Sequence, residues 1–195
     1  MEDPPQKWLD ASDSPFHVRV FDCRGFALNM VSTTSDQEIA ARFSLLRSAT
    51  GEQHRGEVPK DAVQIDCDLA YQLQQEWSDG LLFTAAEMED KWDICLYDKT
   101  LYFARSWTGE LWFRAIIEVD GVGLRVTYID AKGDDFADRK PFAIRVVDFL
   151  IKSHLLGFEV PHPLPSDLPD DPETITTYSF QWYGRRGLFA TCDDI

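Results

Sequence analysis

The residues best suited to chemistry lie in one stretch, YFARSWTGELWF, which runs from Tyr102 to Phe113. Arg105 stands directly before Ser106-Trp107-Thr108-Gly109, a run of residue types that are common in tight turns. A guanidinium group in this place could hold a carboxylate or a phosphate through its paired N–H groups. The hydroxyl groups of Ser106 and Thr108 could donate further hydrogen bonds to the same ligand. This stretch is therefore the first candidate for a binding site.

Nucleophilic catalysis by Ser106 is not expected. The stretch lacks the Gly-x-Ser-x-Gly elbow that exposes a serine nucleophile, and no histidine is tied to Ser106 by its spacing. Cys23 has no neighbouring base and no electropositive setting that would activate its thiol. The sequence assigns no catalytic residue, so we expect a binding protein rather than an enzyme.

The acidic loop after residue 129 resembles a cation-binding loop at first sight. It contains Asp130, Asp134, Asp135 and Asp138, but their order does not fit the EF-hand spacing and the terminal glutamate is missing. Asp130 could instead form a carboxylate pair for acid–base chemistry with the Glu89-Asp90 segment. A solvated acidic edge is the favoured interpretation, and we predict no metal and no other cofactor.

The charge of the chain limits its partners. The 195 residues include 34 acidic against 19 basic residues, which gives a formal net charge of −15. Binding to a phosphate backbone needs clustered lysine and arginine, so nucleic acid and anionic membrane surfaces are not expected partners. A pair of arginines in the tail, Arg185-Arg186, could bind an anion, but one pair is little evidence in so acidic a chain. A basic protein partner fits the charge better.

Composition and cysteine usage indicate a globular protein of the cytoplasm. A hydrophobic content of 44% is typical of chains that bury a core. The first residues, MEDPPQKWLD, lack the apolar centre of a signal peptide, and no apolar run approaches membrane-spanning length. The four cysteines are far apart and form no C-x-x-C pair, so we expect reduced thiols.

Four consecutive runs in the centre of the chain alternate apolar and polar residues with period two, which is typical of β-strands. The predicted strands are residues 92–97, 100–106, 110–119 and 122–129. Asp98-Lys99 and Asp120-Gly121 suit two-residue hairpin loops, and Trp107-Thr108-Gly109 suits a three-residue loop with its glycine in the left-handed conformation. The four runs predict one antiparallel meander.

Helices are predicted over residues 35–47, 66–77 and 140–156. Ser35 followed by Glu38 forms a capping-box pattern at the start of the first helix, and Pro141 suits the first turn of the last one.

The remaining segments complete the predicted fold. Residues 1–15 are expected to be a loose lead-in, and residues 16–23 and 26–31 are expected to form a hairpin. The predicted fold is a single α+β domain over residues 1–195, with the helices on one face of the sheet.

The pairing that keeps the apolar residues on one face also places Arg105 on that face. It pairs Leu96 with Leu101, Ile94 with Phe103, Trp92 with Arg105, Phe103 with Phe113 and Leu101 with Ala115. One end of the sheet then carries the row Trp92–Arg105–Leu111–Asp130. Because an arginine on a core face is costly unless it is paired, we favour a structural Arg105 over a ligand-binding one. Its expected partners are the Trp92 ring and a carboxylate of Asp130, Glu89 or Asp90.

The opposite face of the predicted sheet is mixed. It carries Tyr102, Trp112, Arg114, Thr127 and Ile129. Three interpretations stay open for it: a solvated surface, a surface covered by helices, or a patch that binds a partner.

The run EDKWDICLYDKTLYFARSWTGELWFRA resembles a motif of uncharacterised bacterial proteins, in which a Lys-Trp strand is followed by LYF-x-RSWTG. Some similar proteins occur beside or fused to ADP-ribose-processing enzymes. The resemblance covers about residues 89–115. It departs from the pattern at Ala104, where an aromatic residue or a histidine often precedes the arginine. The resemblance marks the motif residues and implies no role for them.

Two functions remain as expectations. The first is an acidic binding module, such as an accessory or immunity-type protein of a bacterial defence or toxin system. The second is an enzyme or sensor for a small anionic ligand, such as a nucleotide or ADP-ribose, at the Arg105 end of the sheet. The residues predicted to bind the ligand or partner are Trp92, Arg105, Ser106, Trp107, Thr108, Trp112, Arg114 and Asp130.

Overall fold

The computed structural model describes residues 7–193. The strands of this part are Trp8–Leu9 (β1), Val20–Asp22 (β2), Val63–Gln72 (β3), Gly80–Phe83 (β4), Trp92–Tyr97 (β5), Thr100–Arg105 (β6), Leu111–Asp120 (β7), Gly123–Ala131 (β8), His162–Pro163 (β9) and Phe189–Thr191 (β10). The α-helices are Arg24–Asn29 (α1), Gln37–Leu46 (α2), Gly133–Phe136 (α3), Lys140–Leu150 (α4) and Pro172–Tyr183 (α5). A π-helical turn follows α4 at Ile151–Leu155, and 3₁₀ turns occupy Glu52–His54 and Gly184–Arg186. The α+β class is confirmed.

The chain divides into two compact units. Within the described residues, unit 1 consists of residues 7–33, 89–91 and 149–193, and unit 2 consists of residues 34–88 and 92–148. The prediction of a single domain over residues 1–195 stays a prediction. No helix within residues 7–193 is long and apolar enough to cross a membrane.

Unit 2 is built on a six-stranded antiparallel sheet in the order β3-β8-β7-β6-β5-β4. The four predicted strands lie at its centre, and the predicted pairings of β5 with β6 are confirmed, including Trp92 with Arg105. Asp98 and Lys99 both have positive φ, which is the conformation of a type I′ hairpin loop.

Both faces of this sheet are covered. Phe113 packs against Phe136 of α3 with ring centroids 4.8 Å apart, and Phe136 stacks on Phe142 of α4. On the other face, the Tyr102 hydroxyl accepts a hydrogen bond from the Gly56 amide at 2.9 Å. Of the three interpretations left open for the opposite face, a covered surface is the one observed at Tyr102, where the segment after α2 packs.

The predicted helix over residues 66–77 is wrong. Residues 66–72 belong to β3, an edge strand that pairs with β8 from Val63 to Gln72, and residues 73–77 are neither helix nor strand. Its apolar residues alternate with period two, but the run begins at Val63, before the window that was assigned to the helix. Pairing with β8 buries Ile65 and Tyr71 and leaves Asp66 exposed. The alternation was present in the sequence, and pairing with β8 stabilises the segment as a strand.

The other predicted helices are confirmed with small changes. Asp36, and not Ser35, caps α2, since its carboxylate accepts hydrogen bonds from the amides of Glu38 and Ile39. The last predicted helix is α4 together with the π-helical turn, and Gly157 follows it with a φ of +73°.

Unit 1 contains a mixed four-stranded sheet in the order β1-β2-β10-β9. The predicted hairpin over residues 16–31 is wrong, because only Val20–Asp22 is a strand there and α1 occupies Arg24–Asn29. Of the predicted loose lead-in, residues 1–6 lie outside the described residues. Residues 8–9 form β1, which pairs with β2, so this part is ordered by the sheet.

Candidate functional site

The RSWTG segment forms a four-residue hairpin loop, Ser106–Gly109, between β6 and β7. The Gly109 amide donates to the Arg105 carbonyl at 2.7 Å, and the Arg105 amide donates to the Glu110 carbonyl at 2.9 Å. Gly109 has a φ of +68°, so its predicted left-handed conformation is confirmed. The loop is one residue longer than predicted, because Ser106 belongs to the turn.

The loop is a packed element of unit 2 and not a free tip. Ser106 has no exposed surface, and the indole N–H of Trp107 donates to the Met88 carbonyl at 2.7 Å. A Cβ atom at Gly109 would lie 3.3 Å from the Leu46 side chain of α2. Only Thr108 of the predicted loop residues is well exposed. Most of the motif therefore serves packing.

Arg47, at the end of α2, connects the loop to the sheet. Its guanidinium makes a two-bond ion pair with Asp93 of β5, with N–O distances of 2.6 and 3.0 Å. The same group donates to the carbonyl groups of Ser106 and Ala85 and to the Thr84 hydroxyl. Sequence reasoning missed Arg47, since its partners are far away along the chain and no local pattern marks it.

Arg105 lies against two tryptophans. Its guanidinium carbon is 4.7 Å from the centre of the Trp92 ring and 5.6 Å from that of Trp112. The predicted cation–π contact with Trp92 is thus confirmed. The contact with Trp112 was not predicted, because strict alternation places Trp112 on the opposite face. A shift in the pairing between Phe103 and Ala104 makes Trp112 an extra residue in β7 and turns it toward Trp92.

A second cation packs on Trp112 from the residue that follows β8. The Lys132 ammonium group is 4.6 Å from the Trp112 ring and 2.9 Å from the Glu110 carboxylate. Burial raises the pKa of Glu110, but hydrogen bonds from Lys132 and the Trp112 indole outweigh it and lower that pKa below its usual value. We name the group of Trp92, Arg105, Glu110, Trp112 and Lys132 the tryptophan cluster.

Asp130 is not the partner of Arg105, so the predicted row Trp92–Arg105–Leu111–Asp130 is wrong beyond the Trp92–Arg105 pair. The Asp130 carboxylate pairs with the Arg114 guanidinium at 2.5 Å. Leu111 lies opposite Ala104 and packs with Tyr102 on the other face.

Asp130 lies opposite Arg114 because the pairing of β7 with β8 differs from the predicted pairing. The β7–β8 loop is Gly121-Val122, one residue later than predicted, and a second shift follows between Ile116 and Ile117. Arg114 of β7 consequently faces Asp130 in the pairing of the two strands.

Three groups with the reactivity needed for catalysis, Cys23, Cys95 and His162, are buried in structural positions. Burial raises the pKa of the Cys23 and Cys95 thiols to about 12 in each case. Burial lowers the pKa of His162 to about 3, and its Nε2 lies 2.8 Å from the Ser179 hydroxyl. Within residues 7–193 no group of three or more histidine, cysteine, aspartate or glutamate side chains is arranged to hold a metal ion.

The predicted carboxylate pair has other partners. The Glu89 carboxylate of unit 1 accepts a hydrogen bond from the Ser32 amide at 2.9 Å, and Asp130 of unit 2 is bound to Arg114. Of the eight predicted binding residues, the structure brings Trp92, Arg105 and Trp112 together, places Ser106, Trp107 and Thr108 in the loop, and pairs Arg114 with Asp130 elsewhere.

No protein-family model matches this chain, and neither does any curated protein or any solved structure. The fold and the sites define an α+β protein with a six-stranded antiparallel sheet and a smaller mixed sheet. The resemblance to the bacterial proteins with the RSWTG motif stays a prediction.

Proposed function

We propose that this chain is a non-catalytic binding module that recognises an extended, basic segment of a partner protein. The observation that carries the proposal is the open edge of β3. This strand is ten residues long and pairs with β8 along one edge, whereas no described strand pairs with its other edge. Such an edge presents a row of backbone N–H and C=O groups that can accept one more strand.

The side chains beside this edge select the charge of the added strand. Asp66 and Asp68 are exposed on β3 itself, and Glu118 is exposed on β7, two strands from the edge. Asp68 binds Arg125 through two hydrogen bonds, but the two side chains remain 64% and 57% exposed. A second copy of this chain would bring like charges to the same edge, which is unfavourable. A basic strand would meet opposite charges, so the edge favours a basic partner over self-association.

The charge of the whole chain supports the same kind of partner. A net charge of −15 raises the rate at which a basic protein encounters this surface, particularly at low salt. An accessory or immunity-type protein that neutralises a basic toxin or effector would use such a surface. The burial of Cys23, Cys95 and His162 supports binding over catalysis by these groups.

The experiment uses a ten-residue peptide of alternating lysine and valine as the probe. We expect it to bind at low ionic strength and to slow amide hydrogen exchange within residues 63–72, while a peptide of alternating glutamate and valine does neither. In the double variant Asp66→Lys/Asp68→Lys, we expect affinity for the lysine peptide to fall about tenfold, since two favourable surface charges become unfavourable.

The matched control is Asp10→Lys/Asp13→Lys, which makes the same change of charge at two exposed residues of unit 1. We expect it to change the affinity less than threefold. Equal losses in the two double variants would show that net charge alone attracts the peptide. Exchange protection outside β3 would contradict strand addition at this edge.

The tryptophan cluster supports a second candidate, a sensor or enzyme for a small anion such as a nucleotide or ADP-ribose. Two cations, Arg105 and Lys132, pack on one indole ring. The experiment is a thermal-shift screen with ADP-ribose and nucleotides on the wild type and on Arg105→Ala. We expect a ligand of this site to stabilise the wild type and to lose that effect in the variant. A ligand that stabilises both proteins equally would exclude Arg105 as its anchor.

A further inference from the structure

A cleft of about 390 Å³ opens in unit 1, and its lining includes no residue of β3 or of the tryptophan cluster. Its lining includes Arg185 and Arg186, the carboxylates Asp90 and Glu159, and an apolar wall with Phe158 and Leu188. A volume of this size is in the range of small-molecule sites, which combine apolar walls with a few convergent polar groups. The cleft therefore has the dimensions and the mixture of groups of a ligand site.

The π-helical turn contributes Ser153 to the lining of the cleft, and the Ser153 carbonyl binds Arg186. The Leu156 amide donates to the Ile151 carbonyl at 3.0 Å, five residues earlier, which widens the end of the helix. The Phe158 amide donates to the Lys152 carbonyl at 2.9 Å and not to the Ser153 carbonyl. The Arg186 guanidinium donates to the Ser153 carbonyl at 2.6 Å. The π-helical turn and the Arg186 side chain are thus joined by a hydrogen bond at the rim of the cleft.

Gly184 fixes the backbone that carries both arginines. It has a φ of +59°, and a side chain at this position would overlap the Glu89 carbonyl. This close approach holds the 3₁₀ turn Gly184–Arg186 in one place. The Arg185 side chain is 40% exposed and its terminal nitrogen lies 4.0 Å from the Glu89 carboxylate, so it can still reach a ligand.

The charges of the cleft balance one another. A simple anion would gain from Arg185 and Arg186 and lose from Asp90 and Glu159, and a simple cation would do the reverse. A ligand that carries both charges gains from all four side chains. Phe158 is 51% exposed and offers a surface for an apolar group. We propose that this cleft binds a small zwitterion, namely an α-amino acid with an apolar side chain, whose carboxylate contacts the arginines and whose ammonium group contacts the carboxylates.

The experiment compares three probes of similar shape by titration calorimetry: L-phenylalanine, 3-phenylpropionate and phenethylamine. The second lacks the ammonium group and the third lacks the carboxylate. We expect L-phenylalanine to bind at least tenfold more tightly than either of the others. Tighter binding of 3-phenylpropionate, or no saturable binding of any probe at 10 mM, would overturn the proposal.

Two variants test which side chain contacts the carboxylate of the ligand and which contacts its ammonium group. We expect Arg185→Ala to lower the affinity for L-phenylalanine and 3-phenylpropionate about tenfold and to leave that for phenethylamine within threefold. Glu159 is exposed. We expect Glu159→Gln to lower the affinity for L-phenylalanine and phenethylamine about tenfold and to leave that for 3-phenylpropionate within threefold. Arg42→Ala, at an exposed arginine of unit 2, is the matched control and should change no affinity. If Arg42→Ala has the same effect as Arg185→Ala, the cleft is not the site.

Discussion

The large sheet of unit 2 is assembled from strands that mostly follow one another along the chain, whereas the sheet of unit 1 joins distant segments. In unit 2, β4 to β8 are five consecutive strands. In unit 1, Ala190 of β10 lies between Phe21 of β2 and His162 of β9. The Thr191 hydroxyl donates to the Arg19 carbonyl, 172 positions away.

This difference decides what holds each unit together. Hairpin loops and side chains on adjacent strands fix the pairing in unit 2, and these are local in sequence. The four strands of unit 1 are only two or three residues long. We therefore expect single long-range contacts to matter more in unit 1 than turn residues do in unit 2.

The largest expected effect is that of Gly184→Ala in unit 1. The new Cβ would overlap the Glu89 carbonyl, and the positive φ adds strain, so the free energy of unfolding should fall by about 4 kcal/mol in a urea titration. Gly56→Ala is the control, since Gly56 also has a positive φ but has no neighbour within 4 Å of a Cβ. It should lose about 1 kcal/mol. Equal losses would show that backbone conformation alone, and not the contact with Glu89, matters at Gly184.

Arg47→Ala tests a long-range contact of unit 2 that holds the turn. Removing the guanidinium leaves the Asp93 carboxylate largely buried and without its ion pair, so we expect a loss of about 3 kcal/mol in the free energy of unfolding. Arg47→Lys keeps the charge but not the two-bond geometry and should lose about half as much. A lysine variant as stable as the wild type would mean that the charge alone suffices.

The pH dependence of unit 1 provides a smaller effect with a defined sign. Burial lowers the pKa of His162 to about 3, below its ordinary value of 6.5. Between these values the unfolded chain takes up a proton that the folded chain does not, so stability is present above pH 6.5 and decreases as the pH falls. The slope should be about 1.4 kcal/mol per pH unit from this group. His162→Gln should remove that part of the slope between pH 6 and 4, and unchanged slopes would contradict a neutral, buried His162.

The smallest effect, with the opposite sign, is expected at the β5–β6 loop of unit 2. Lys99 has a φ of +58°, which costs a residue with a side chain more than it costs glycine. Lys99→Gly should therefore stabilise the protein by about 0.5 kcal/mol in thermal or urea unfolding. A loss of stability would show that the Lys99 side chain contributes more than its backbone strain costs.

Strand pairings that depend on local residues could be predicted from the sequence, and those that depend on packing could not. The pairing of β5 with β6 followed from the Asp98-Lys99 loop and the alternation of apolar residues, because both act over a few residues. The same alternation failed at Trp112 and after Gly121, where extra residues shift the pairing. These shifts depend on the packing of the side chains, so the alternation of single strands does not reveal them.

By itself the sequence determined the α+β class, the central meander, the left-handed Gly109 and the contact of Arg105 with Trp92, since these depend on local periodicity and turn chemistry. Only the tertiary structure decided that Asp130 binds Arg114, that Arg47 holds the RSWTG loop, and that residues 63–72 form an open strand. It also placed Arg185 and Arg186 in a cleft with two carboxylates. Each of these facts joins groups that are far apart in the chain, and the partner of a charged side chain is fixed by the packing around it.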